Sequence, residues 1–120
     1  MSNGKGPARL EQEMIGTWVH VGVPGRVGET PAPGDGGRFK TRDGSHWNLT
    51  VVDDTGLVRE NFGGTYTMKG DEYVETQHYA TEQWIQDNEK SFRFRVTVDG
   101  DTMTQYGLDN PFTEVWKRVP

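Results

Sequence analysis

Three histidines, at positions 20, 46 and 78, and eighteen carboxylates are the groups of this chain suited to proton transfer or metal binding near neutral pH. Their spacing speaks against metal: no HxH, HExxH or EF-hand pattern occurs. The stretch "DGDTMTQ" offers oxygen ligands but reads as a hairpin turn. There is no cysteine, which removes thiolate catalysis and cysteine zinc sites. No GxSxG elbow is present, and the glycines of residues 23–37 lack the Lys-Ser/Thr of a phosphate loop. No metal and no cofactor are therefore expected. Proton transfer remains, with His20 as base and Glu75 or Glu114 as the group that orients it. That chemistry would suit an isomerase, cyclase or hydratase, provided that the fold brings residues 20, 75 and 114 to one place.

The elements that would bring them together are strands. Residues 17–22 alternate around Trp18, His20 and Gly22, which is strand period. Residues 38–42 alternate, Asp43-Gly44 turns, and "HWNLTVV" alternates again. "DDTG", Gly63-Gly64, Lys69-Gly70-Asp71 and Asp99-Gly100-Asp101 punctuate "LVRENF", "TYTM", "EYVETQHYA", "FRFRVTV" and "TMTQYG". The chain ends in "FTEVWKRV". Eight or nine short antiparallel strands on tight turns predict an all-β barrel or sandwich, and closure into an up-and-down barrel removes exposed edges. Segment 81–90, "TEQWIQDNEK", fits a short helix or a hairpin tip. Residues 1–13 read as a flexible tail, with at most one turn over 11–15, before a single domain from 14 to 120. The loop 23–37, with five Gly and three Pro, forms neither helix nor central strand and is expected to cover the barrel mouth.

Composition sets the remaining bounds. At 120 residues the chain makes one domain with one core. Only 32% of residues are hydrophobic, so the core rests on four Trp, four Tyr and five Phe. The net charge of −5 argues against a nucleic-acid surface. No apolar run approaches a membrane span, and residues 1–13 hold no signal-peptide core. As given, the chain reads as cytoplasmic; a leader trimmed from the amino terminus would make it secreted or periplasmic. A homodimer is compatible with all of this.

The two ends carry a further signal. In a closed barrel the first and last strands pair. Trp18 can then plug one end, with Arg118 across its indole face bonding nearby carbonyls. "GTW" at 16–18, "GGTYTMKGDEYVE" at 63–75, "VDGD" at 98–101 and "EVWKRV" at 114–119 together resemble the lipocalin/calycin superfamily. Within it they are most similar to the small lipocalin-like bacterial domains of uncharacterised function. The resemblance spans most of residues 14–119. It implies an up-and-down lipocalin-like barrel of about eight strands, with Trp18 and Arg118 as its lock.

Side-chain alternation then predicts the interior. Inward-facing Trp18 carries His20 with it, and Arg118 carries Trp116 and Glu114. Residues 72–79 direct Tyr73, Glu75, Gln77 and Tyr79 inward. Residues 92–98 contribute Phe92, Phe94, Val96 and Val98. Trp47, Leu49 and Val51 share one parity, as do Tyr66 and Met68. The expected ligand walls are Trp47, Tyr66, Tyr73, Tyr79, Phe92, Phe94, Tyr106 and Trp116. His20, Glu75, Glu114 and Arg118 would bring charge inside, with the glutamates paired to Arg118 and His20. An aromatic interior with a few convergent polar groups suits a small apolar or aromatic molecule. Acid–base catalysis in the same cavity is the alternative.

Overall fold

A computed structural model describes residues 7–32 and 34–120. Helix α1 (Pro7–Met14) leads into nine strands: β1 (Gly16–Val23), β2 (Arg26–Val27), β3 (Gly37–Arg42), β4 (His46–Val52), β5 (Val58–Lys69), β6 (Glu72–Ala80), β7 (Ser91–Asp99), β8 (Thr102–Gly107) and β9 (Glu114–Arg118). Neighbours pair antiparallel in the order β1-β3-β4-β5-β6-β7-β8-β9, and β9 returns to β1. The result is a closed eight-stranded barrel, with β2 a short flap hydrogen-bonded to the end of β1. Among the described residues no helix is long and apolar enough to cross a membrane.

Closure is made where the two ends of the sequence meet. Trp18 stands opposite Arg118 on one side and Lys40 on the other. The Trp18 ring is fully buried, its Nε1 donates to the Met14 carbonyl at 3.0 Å, and the Arg118 guanidinium lies 4.3 Å from the ring centroid. Arg118 also donates to the carbonyls of Glu13 (2.9 Å) and Ile15 (3.3 Å). It thereby ties down the last turn of α1, whose carbonyls have no partners of their own within the helix. Helix α1 packs against β5 and β7, and its Met14 sits wholly in the core. Residues 7–13 are helical, where the sequence suggested at most one turn over 11–15; residues 1–6 lie outside the described residues.

Two departures from simple alternation decide what faces inward. Between β5 and β6 the register shifts: Gly63 pairs with Tyr79 but Gly64 with Gln77, leaving His78 as the extra residue of a bulge. At Gly64 a Cβ would run into the Thr76 carbonyl oxygen, so the close approach at the bulge demands glycine. The bulge reverses parity beyond Gln77. Tyr79 consequently points outward, 45% exposed, with its hydroxyl accepting from Asn48 Nδ2 at 2.8 Å. In β3 it is the charged parity that faces inward. Arg38, Lys40 and Arg42 face the interior, while Phe39 joins Val19, Val21, Val115 and Val119 in a second apolar cluster on the outer wall.

That outer cluster explains the Gly/Pro-rich segment. Described residues between Thr30 and Gly36 lie beside Val19, Phe39 and Val119, and the Gly28 amide donates to the Val21 carbonyl at 2.7 Å. The segment covers the outside of β1 and β3 instead of the mouth. Segment 81–90 satisfies both expectations for it: a 3-10 turn, Glu82–Asp87, forms the tip of the β6–β7 hairpin.

Candidate functional site

The hairpins 42–46, 69–72 and 99–102 lie at the α1 end of the barrel. The connections β4–β5, β6–β7 and β8–β9 lie at the other end, where a cavity of about 190 Å³ opens. Its walls are apolar: Trp47 and Leu49 from β4, Phe62 from β5, Phe92 and Phe94 from β7. Trp84 of the 3-10 turn and Phe112 of the β8–β9 connection form the lip. The rings support one another edge-on, with Trp47–Phe62 centroids 5.9 Å apart and Phe92–Phe112 centroids 5.7 Å apart. Trp84 is fixed by an Nε1 bond to Glu60 at 2.7 Å, and Gln77 holds the 3-10 turn by donating to the Trp84 carbonyl at 2.8 Å.

The floor is charged. Lys40, 2% exposed, donates to Glu75 Oε1 at 2.5 Å, and the Tyr73 hydroxyl donates to the same oxygen at 2.8 Å. Arg42 Nε donates in turn to the Tyr73 hydroxyl at 3.1 Å, and its Nη2 donates to Gln105 Oε1 at 3.0 Å. The Lys40 ammonium also lies 4.7 Å from the Trp47 ring centroid and 5.9 Å from those of Tyr73 and Trp116. Burial pulls the Lys40 ammonium below the ordinary lysine value, against the opposing pull of Glu75. Burial pushes the Tyr73 phenol well up, so it remains a hydrogen-bond donor.

His20 stands near this site without lining it. Its Nε2 is 4.0 Å from Glu114 Oε2, and its ring meets Trp116 edge-on at 5.2 Å. Burial lowers its pKa, with Glu114 opposing. Glu114 does line the cavity, beside Arg38, Gln77, Asp87 and Gln105.

Of the residues expected at the site, Trp47, Phe92, Phe94, Glu75 and Glu114 meet at the cavity. Tyr73 and Trp116 lie fully buried just beyond its floor. Tyr66 sits in the core toward α1, its hydroxyl accepting from the Gly44 amide at 2.8 Å. Tyr79 is outside because of the bulge. Tyr106 is outside, 41% exposed, because Met103 and Gln105 take the inward parity of β8. The expected charge pairing also changes. Glu75 is engaged by Lys40 and Tyr73, whereas Arg118 meets Asp101 at 3.3 Å outside the cavity.

The reading of the sequence missed Arg38, Lys40 and Arg42, together with Phe62, Trp84, Gln105 and Phe112. The three cations alternate cleanly, but the apolar Phe39 between them suggests the opposite face. Only the second cluster on the outer wall explains why Phe39 is free to point away.

No protein-family model matches this chain, and no curated protein sequence matches it. Two solved structures share its fold. An uncharacterized protein from Bacteroides eggerthii superposes with a TM-score of 0.62 at 14% identity, covering 88% of this chain and 99% of the other. A lipocalin-like protein from Bacteroides uniformis superposes with a TM-score of 0.61 at 13% identity, covering 89% and 99%. At these identities the likeness is one of fold. The fold of this chain is a closed, eight-stranded lipocalin-like β-barrel.

Proposed function

We propose that the barrel binds a small, largely apolar molecule in the cavity between Trp47, Phe92 and the Trp84 lip. The observation that carries this reading is the cavity itself: about 190 Å³, walled by aromatic and aliphatic side chains and opening at one end. An apolar cavity of about 150 Å³ is enough to hold benzene. A one- or two-ring molecule matches the space here. A few fixed polar groups, Lys40, Glu75 and Gln105, would orient it from the floor.

The acid–base alternative finds less support. Its base, His20, does not line the cavity, and Glu75 is already committed to Lys40 and Tyr73. Glu114 lines the cavity, but it stands 4.0 Å from His20 Nε2, beyond a hydrogen bond, so the two are not joined as a base and its orienting partner.

The test is a titration of intrinsic tryptophan fluorescence with 2-naphthamide, an uncharged two-ring probe. Trp47 and Trp84 line the site, so saturable quenching is expected. Leu49→Trp, which fills the cavity, should abolish the response. Saturable quenching that survives Leu49→Trp would place the probe elsewhere and sink the proposal.

A further inference from the structure

The whole chain is acidic, yet the interior beside the cavity is not. Arg38 and Lys40 line the cavity, and Arg42 lies below the floor, all three on the inner face of β3. Two carboxylates face them, Glu75 and Glu114. Asp87, at the rim, is engaged by Lys90 at 3.3 Å. His20 is held toward its neutral form by burial. Three cations therefore meet two carboxylates.

The mismatch is visible atom by atom. Glu75 takes the hydrogen bond of Lys40 and, through Tyr73, also serves Arg42. Among the described residues Arg42 has no carboxylate partner, and its buried Nη1 makes no hydrogen bond. Arg38 likewise has no carboxylate partner among them, and its buried Nε is unpartnered. Arg42 is buried and Arg38 half-buried without a counter-charge, which is costly, and one anion would offset the excess. Arg38 and Lys40 occupy successive inward positions of one strand, about 7 Å apart. A carboxylate entering between them would meet both, with the apolar body against the rings above.

Given a small apolar molecule in the cavity, as proposed above, we infer that its class is a monoanionic carboxylic acid whose carboxylate is read by Arg38 at the entrance and Lys40 at the floor. Specificity then has a simple origin. An uncharged analogue leaves Arg38 unpaired, and an ammonium analogue adds to the excess of positive charge.

The experiment compares three probes of one shape on the full chain: 2-naphthoate, 2-naphthamide and 2-naphthylmethylamine. The expected order puts 2-naphthoate roughly 10–100-fold tighter than 2-naphthamide, as for a charge-assisted hydrogen bond, with the amine weakest. Arg38→Gln should weaken 2-naphthoate far more than 2-naphthamide and bring the two to about the same level. Glu114→Gln, which removes a second carboxylate from the cavity lining, should tighten 2-naphthoate, and it decides the matter if Arg38→Gln does not fold. Equal affinity for acid and amide, a preference for the amine, or an acid preference that survives Arg38→Gln would overturn the anion assignment and leave cavity binding standing. If none of the three probes binds, the cavity reading falls and the anion assignment falls with it.

Discussion

Trp18, the Lys40–Glu75 pair and His20 carry separable consequences. Trp18 is fully buried between Arg118 and the Met14 carbonyl, so Trp18→Ala removes a core ring and the stacking face of Arg118 together. We expect a loss of roughly 3–5 kcal/mol in urea melts. The Lys40–Glu75 pair behaves differently, because each partner neutralises the other in a dry environment. Lys40→Met alone should cost about 3–5 kcal/mol by stranding the Glu75 carboxylate. Lys40→Met with Glu75→Gln should recover much of that loss, a non-additivity that a double-mutant cycle reads directly. Additive losses would show that the two residues act independently. His20 sets a pH dependence. Burial lowers its folded pKa below the ordinary value of 6.5. The unfolded chain therefore takes up the proton first as pH falls, and stability present above about pH 6.5 is lost on acidification through the folded pKa. His20→Gln should flatten the stability profile between pH 7 and pH 5 relative to the parent.

At the scale of elements, two features determine which residues reach the cavity. The bulge at His78 needs the glycine opposite it, because a Cβ at Gly64 would meet backbone. Gly64→Ala should destabilise the barrel by about 1–3 kcal/mol, as overpacking does, and should loosen amide protection along β5 and β6. A neutral substitution would mean that the pairing there is not as close as described. The same bulge marks where the sequence ceased to be legible. Period-2 alternation identified Trp47, Tyr73, Glu75, Phe92, Phe94 and Trp116 as inward, because those strands run regularly as far as these residues. It failed at Tyr79, where one extra residue reverses parity. It made no choice on β3, where apolarity alone would favour Phe39 but the barrel takes Arg38, Lys40 and Arg42. A barrel with a second buried cluster on its outer wall breaks the rule that the apolar parity faces the core. Helix α1 was legible only as one turn over 11–15, and the lip residues Trp84 and Phe112 sit on connections without a period to read.

At the scale of the molecule, the barrel has a closed end and an open end. Helix α1, Trp18 and Arg118 seal one; the Trp84 turn and Phe112 frame the other around the cavity. The Gly/Pro-rich segment lies on the outer wall, beside a separate apolar groove lined by Val19, Phe39 and Val119. A small molecule thus has two apolar places to go, of which the barrel interior is the proposed site. The four tryptophan indoles distinguish them in one measurement, a ¹H–¹⁵N correlation spectrum recorded while 2-naphthamide is added. Binding inside the barrel gives saturable shifts of the Trp47 and Trp84 indole N–H resonances, with that of Trp18, sealed at the far end, unmoved. Shifts confined to residues 28–36 and Val119, with both cavity indoles silent, would contradict it.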